Sequence, residues 1–142
     1  MAQRLSTPMP SSLHGLHLTA DLAGCAADNP WMTEVVVLRQ ACTDWVHSVG
    51  LQAVGECFYS FPSPHPGSAG GVTGMVLLAE SHLAVHTWPE SGHVTLDVFV
   101  CNMSTDNTQR ARDLLEAMIR GFAPATVQRQ TLRRGRPVDA ST

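Results

Sequence analysis

Lysine is missing altogether: each of the nine basic residues is an arginine. Without a lysine amine the chain cannot hold pyridoxal phosphate as an internal Schiff base, so any amine chemistry must use a different carbonyl. Basic runs are absent before the tail, and the net charge of -3 gives no electrostatic reason to expect nucleic acid. Cys25, Cys42, Cys57 and Cys101 form no Cys-x-x-Cys pair and read as reduced thiols rather than a disulfide framework. No run is long or apolar enough to span a bilayer. Pro8, Pro10, Ser11 and Ser12 near the start replace the apolar run of a signal peptide. These absences predict a cytoplasmic, soluble protein with neither nucleic acid nor membrane as partner.

What is present suits one domain, small enough that pairing with a second copy would help it. Residues 1–13 are expected to be a flexible leader, 14–133 the folded domain and 134–142 a flexible tail. Leu16 to Leu22 alternates as a strand. Asn29-Pro30 opens a helix, with asparagine capping and proline preset for the first turn, and Gly50 stops it. Val35, Leu38, Cys42, Trp45, Val46 and Val49 form its buried stripe. Gln52 to Phe61 reads as a second strand and runs into a Pro/Gly-rich loop, 62–71. A loop this long beside a reactive stretch is either a cover for a site or a surface insertion. A later helix carries Ala111, Leu114, Leu115, Met118, Ile119 and Phe122 at helical spacing, ends at Gly121 and Pro124, and precedes a last strand, Thr126 to Leu132. Strands interrupted by two helices predict an α+β fold, an antiparallel sheet with both helices on one face. A second protomer is the simplest cover for the other face.

The chemistry is concentrated between Gly71 and Cys101. Ser81 sits at a tight junction between strand-like runs. From Val94 onward, Val94, Leu96, Val98 and Val100 share one face, and Thr95, Asp97, Phe99 and Cys101 the other. His82, Ala84 and His86 likewise share a face. If a hairpin forms through Pro89-Glu90-Ser91-Gly92, His86 and Cys101 are expected to face a common cleft. His82 and His86 have the spacing of a helical zinc pair, but the local pattern is a strand and lacks a convincing third ligand, so no metal is expected. Ser81 lacks the Gly-x-Ser-x-Gly elbow of a serine hydrolase, although the histidines and Asp97 leave a triad open. Each residue also has an ordinary structural role: histidine as a hydrogen-bonded side chain, cysteine as a small hydrophobe, Trp88 and Phe61 as packing.

Taken together, Gly71-Val-Thr-Gly, Ala79-Glu-Ser-His-Leu83, His86-Thr-Trp-Pro-Glu90 and Asp97-Val-Phe-Val-Cys101 resemble the signature of the prokaryotic pyruvoyl-dependent S-adenosylmethionine decarboxylase proenzymes. The resemblance implies an S-adenosylmethionine decarboxylase-like sandwich completed by dimerisation. It implies self-cleavage between Glu80 and Ser81, giving a β chain of residues 1–80 and an α chain of 81–142 capped by a pyruvoyl group made from Ser81. That carbonyl would take the substrate's α-amine as a Schiff base and drain the electrons left when carbon dioxide departs. Cys101 is implied as the acid that returns a proton to the α-carbon, a role suited to a thiol, which ordinarily titrates near 8.5. His86 is implied as the processing histidine and Thr73 as the stand-in for a serine that assists processing. Glu90 is implied to accept from the ribose hydroxyls, and Phe61, with Phe58 or Tyr59 as substitutes, to stack on adenine. The product would feed spermidine synthesis.

The sequence also departs from the family's pattern. Ser91-Gly92-His93 replaces Tyr-Gly-Tyr, and Asn102 follows Cys101 in place of a glycine. Members of this fold group decarboxylate L-ornithine or L-arginine with the same machinery, and those substrates are an alternative. An uncleaved paralogue acting as a regulatory or binding partner is a second.

Overall fold

The computed structural model describes residues 14–103 and 105–135. The expected leader, and all but the first two residues of the expected tail, lie outside the described residues. In chain order the elements are β1 (Gly15–Ala23), α1 (Pro30–Thr33), α2 (Val35–Ser48), β2 (Ala53–Ser60), β3 (Val72–Leu78), β4 (Ser81–Trp88), β5 (His93–Cys101), α3 (Thr108–Phe122) and β6 (Thr126–Arg134). The strands form one six-stranded sheet in the order β2-β3-β4-β5-β1-β6, every neighbouring pair antiparallel.

Alternation decides which face meets the helices. Val94, Leu96, Val98 and Val100 of β5 are buried, as are Leu16, Leu18, Ala20 and Leu22 of β1 beside them. They join Leu38, Cys42 and Val46 of α2 and Leu114, Met118 and Phe122 of α3 in one core. Each large side chain so buried contributes about 1.5–3 kcal/mol relative to exposure. The expected α+β fold is therefore observed, with the apolar rows of the strands beneath the helices.

Two helix boundaries differ from expectation, both through contacts distant in sequence. Asn29 caps as expected, its Oδ1 accepting from the Trp31 N–H at 3.0 Å. The helix then breaks at Glu34, which is extended (φ -100, ψ 102), and restarts at Val35. The break frees the Met32 carbonyl, which accepts a 2.7 Å bond from the buried Thr87 hydroxyl of β4, while Thr87 Oγ1 accepts from the Val72 N–H at 2.8 Å. In α3, Gly121 lies inside the helix, which closes one residue beyond Phe122 on left-handed Ala123 (φ 47). A Cβ at Gly121 would overlap the Trp31 ring, so the glycine serves packing.

The last strand continues through Arg134, opposite Gly15, one residue into the segment expected to be tail. The Arg134 guanidinium lies 5.6 Å from the Phe99 ring centroid. The helix-free face of the sheet carries Met75, Leu77, Trp88 and Leu132, all exposed large apolar side chains.

Candidate active site

A two-residue connection, Ala79-Glu80, joins β3 to β4, with Leu78 opposite Ser81. Neither connecting residue has a positive φ, so this is not the I′ or II′ turn that follows the twist of its strands. Ser81 is the first residue of β4, and its Oγ accepts the Cys101 N–H at 3.0 Å. Cys101, the last residue of β5, is buried. Glu80, Ser81, Cys101, Asn107 and Arg110 line a cavity of about 190 Å³.

A second constellation lies at the other end of the same strands. Thr73 stands opposite His86 on neighbouring strands, and their Oγ1 and Nδ1 atoms are 2.7 Å apart. With Phe61, Trp88 and Glu90 they line a pocket of about 310 Å³, and the loop after β2 contributes Pro62, Pro64, Gly70 and Gly71 to its wall. Phe61 is 49% exposed and meets Tyr59 edge-on, ring centroids 4.9 Å apart. Phe58 instead turns to the core face, over Gly74, and drops out as an alternative platform. Trp88, read from the sequence as packing, is a pocket wall. Its signal was available, because period two from His86 puts it on the same face.

The expected common cleft for His86 and Cys101 is not formed within one protomer. The predicted hairpin is present, with Trp88 opposite His93. Yet His86 faces Thr95 on β5, six residues from Cys101, or about 20 Å along a strand. Ser81 and His86 lie five residues apart on β4, about 17 Å. His82 and His86 are separated by about 13 Å on the same count, which undoes the zinc-pair spacing. Among the described residues no group of three or more His, Cys, Asp or Glu is placed to hold a metal. Asp97 bonds His17 instead of completing a triad, Oδ1 to Nε2 at 3.0 Å. His82 packs beside this pair, against His17 and Phe99, and burial, reinforced by His17, holds its pKa below the ordinary histidine value.

Burial separates two other thiols from the chemistry. Cys42 is pushed up to about 12 by burial and then by the Glu56 carboxylate, and burial raises Cys25 as well. Both are inert packing residues.

A profile of the family described as S-adenosylmethionine decarboxylase matches residues 16–135. The chain belongs to the S-adenosylmethionine decarboxylase family. The S-adenosylmethionine decarboxylase proenzyme of Aquifex aeolicus is 36% identical over 121 residues, covering 85% of this chain and 81% of the relative. That of Archaeoglobus fulgidus is also 36% identical over 121 residues, 85% of this chain and 97% of its own. The crystal structure of the Aquifex aeolicus adenosylmethionine decarboxylase superposes with a TM-score of 0.74 at 32% identity, covering 92% of this chain and 98% of that one. Family membership makes the hairpin tip at Glu80-Ser81 the place to look for self-processing, and the two pockets the places to look for its partners.

Proposed function

We propose that this member of the family is an S-adenosylmethionine decarboxylase that cuts its own chain between Glu80 and Ser81. The observation that carries the reading is the position of Ser81: first residue after a two-residue turn, its Oγ fixed by the Cys101 N–H beside a cavity with room for a small reacting group. Attack by Oγ on the Glu80 carbonyl forms a C–O bond and breaks the peptide C–N bond, and the hydroxyl proton passes to the freed amine. Loss of the Ser81 Cα proton then expels Glu80 as a carboxylate, and water hydrolyses the resulting enamine to a pyruvoyl group and ammonia. Ser81 and its cavity fit that group.

When present, the pyruvoyl carbonyl supplies the electron sink for loss of carbon dioxide from the substrate. Everything else falls to ordinary side chains. Cys101 Sγ holds the proton that the α-carbon takes up. Glu90 is available to accept from two ribose hydroxyls, and Phe61 and Trp88 offer flat faces to adenine and to the positive sulfonium. No step calls for pyridoxal phosphate or a metal. The products are decarboxylated S-adenosylmethionine, a precursor for spermidine and other polyamines, and carbon dioxide.

Because Ser81 and the Thr73–His86 pair occupy opposite ends of one sheet, we infer that two protomers complete each other's sites. A two-fold axis through the helix-free face would bring the Ser81 end of one copy to the His86 end of its partner, and would cover Met75, Leu77 and Leu132. Co-expressing Ser81→Ala and His86→Ala chains tests this. Neither variant cleaves alone, but a mixed pair holds one intact site, so the His86→Ala chain should yield fragments of 1–80 and 81–142. No fragments in the mixture would place His86 in its own protomer's site. Carbon dioxide release compared among S-adenosylmethionine, ornithine and arginine fixes the substrate, and a full-length band after long incubation would mean a non-enzymatic paralogue.

A further inference from the structure

We propose that Asn107, held by Arg110, is the positioning residue that aims the Ser81 hydroxyl for self-cleavage; the inference rests on the self-processing reading above. Asn107 occupies the N-cap of α3, the usual post for an asparagine that caps free amides, yet its side chain makes no capping bond. That work is done by Asp106, whose Oδ1 accepts from the Thr108 N–H at 2.9 Å.

Both ends of the Asn107 amide are committed elsewhere. Nδ2 donates to the Cys101 carbonyl at 3.1 Å, and Oδ1 accepts from Arg110 Nη1 at 2.9 Å. These partners fix the amide's orientation, since only NH2 can donate to a carbonyl and only oxygen can accept from a guanidinium. The Cys101 N–H in turn donates to Ser81 Oγ. A continuous chain therefore runs from the guanidinium to the attacking oxygen through one residue, Cys101.

The loop that carries Asn107 is braced by Asn102. Its Oδ1 accepts from the Asn107 N–H at 2.8 Å, and its Nδ2 donates to Thr108 Oγ1 at 3.2 Å. Asn102 is the residue that replaces the glycine expected after Cys101, so a departure from the family's pattern here supports the bridge. Arg110 runs past Gly50, where a Cβ would come within 3.3 Å of its Nε, anchoring the network to the turn after α2. In the cavity beside Ser81, Arg110 is the cationic wall.

The Cys101 N–H and carbonyl lie in successive peptide planes hinged at its Cα. The Asn107 bond to the carbonyl therefore restrains the Cys101 dihedrals that aim the N–H at Ser81 Oγ, and releasing the carbonyl should let the hydroxyl leave the attacking rotamer. Asn107→Asp keeps an acceptor for Arg110 but turns the donor facing the Cys101 carbonyl into a second acceptor. Followed on denaturing gels from the moment of synthesis, cleavage of Asn107→Asp should be slower than the parent's by a factor approaching about ten, the effect of one oriented hydrogen bond. Arg110→Ala, which reads the same chain from its far end, should be slower by a smaller factor. In an uncleavable Ser81→Ala background neither change should move the unfolding midpoint enough to account for the delay.

Hydroxylamine cuts esters, and so reports which step has slowed. If Asn107 aims the hydroxyl, the ester does not accumulate and hydroxylamine does not hasten cleavage of Asn107→Asp. Cleavage at the parental rate in both variants, or a slow variant that hydroxylamine cuts readily, overturns the assignment while leaving self-processing intact. A parent chain that never breaks at Ser81 overturns both.

Discussion

At Cys101 two roles meet in one residue: the backbone N–H holds Ser81 Oγ, and the thiol is the acid of the proposed reaction. Substitution separates them. Cys101→Ala keeps the N–H, so self-cleavage should continue, while turnover should fall by about a hundredfold or more, the usual contribution of a positioned acid; radiolabelled carbon dioxide release on the cleaved protein measures it. Glu90→Gln should raise KM for S-adenosylmethionine several-fold while leaving cleavage untouched, as expected for a group that meets only the ribose. The sequence alone singles these residues out as candidates, through Glu80-Ser81-His82, His86-Thr87-Trp88-Pro89-Glu90 and Asp97-Val98-Phe99-Val100-Cys101. Their distribution over two pockets was not stated there, although counting strand residues between Ser81 and His86 would have shown it. Asn107 and Arg110 left no such trace, since an asparagine before a helix reads as a cap and only the folded loop shows its side chain turned toward Cys101.

At the scale of elements, strands were read more surely than helix boundaries. β5 alternates so cleanly that its buried row, Val94 to Val100, is visible in the residues alone. The break at Glu34 is not, because its cause is the Met32 carbonyl bonding Thr87 across 55 positions, a contact no local pattern contains. Gly121 misled for the same reason: it reads as a helix stop but makes room for Trp31. Gly74 on β3 is a further case, its missing Cβ occupied by the Phe58 ring. Gly74→Val should therefore destabilise by about 1–3 kcal/mol through overpacking, measured by urea unfolding in the Ser81→Ala background. Unchanged stability would mean that Phe58 has another place to go.

For the molecule as a whole, the helix-free face sets two expectations. Leu132→Asp on that face should shift the protein toward monomer in size-exclusion chromatography and slow cleavage with it, whereas cleavage by a clean monomer would refute the shared site. The same face carries His82, whose pKa is lowered in the folded state by burial first and by His17 second. A histidine kept neutral by folding leaves stability intact above its unfolded value, about 6.5, and erodes it as pH falls below that toward the folded value. The unfolding midpoint should drop across that window, and His82→Gln should flatten the slope. The strand order carries a last consequence. A break between residues 80 and 81 assigns β1, β2 and β3 to one fragment and β4, β5 and β6 to the other, yet β1 lies between β5 and β6. The fragments would be interlaced along three seams, with β1 clasped on both sides by strands of the other piece. Maturation would thus convert one polypeptide into two that cannot part without melting the sheet, and reassembly after melting would become a bimolecular encounter whose yield depends on concentration.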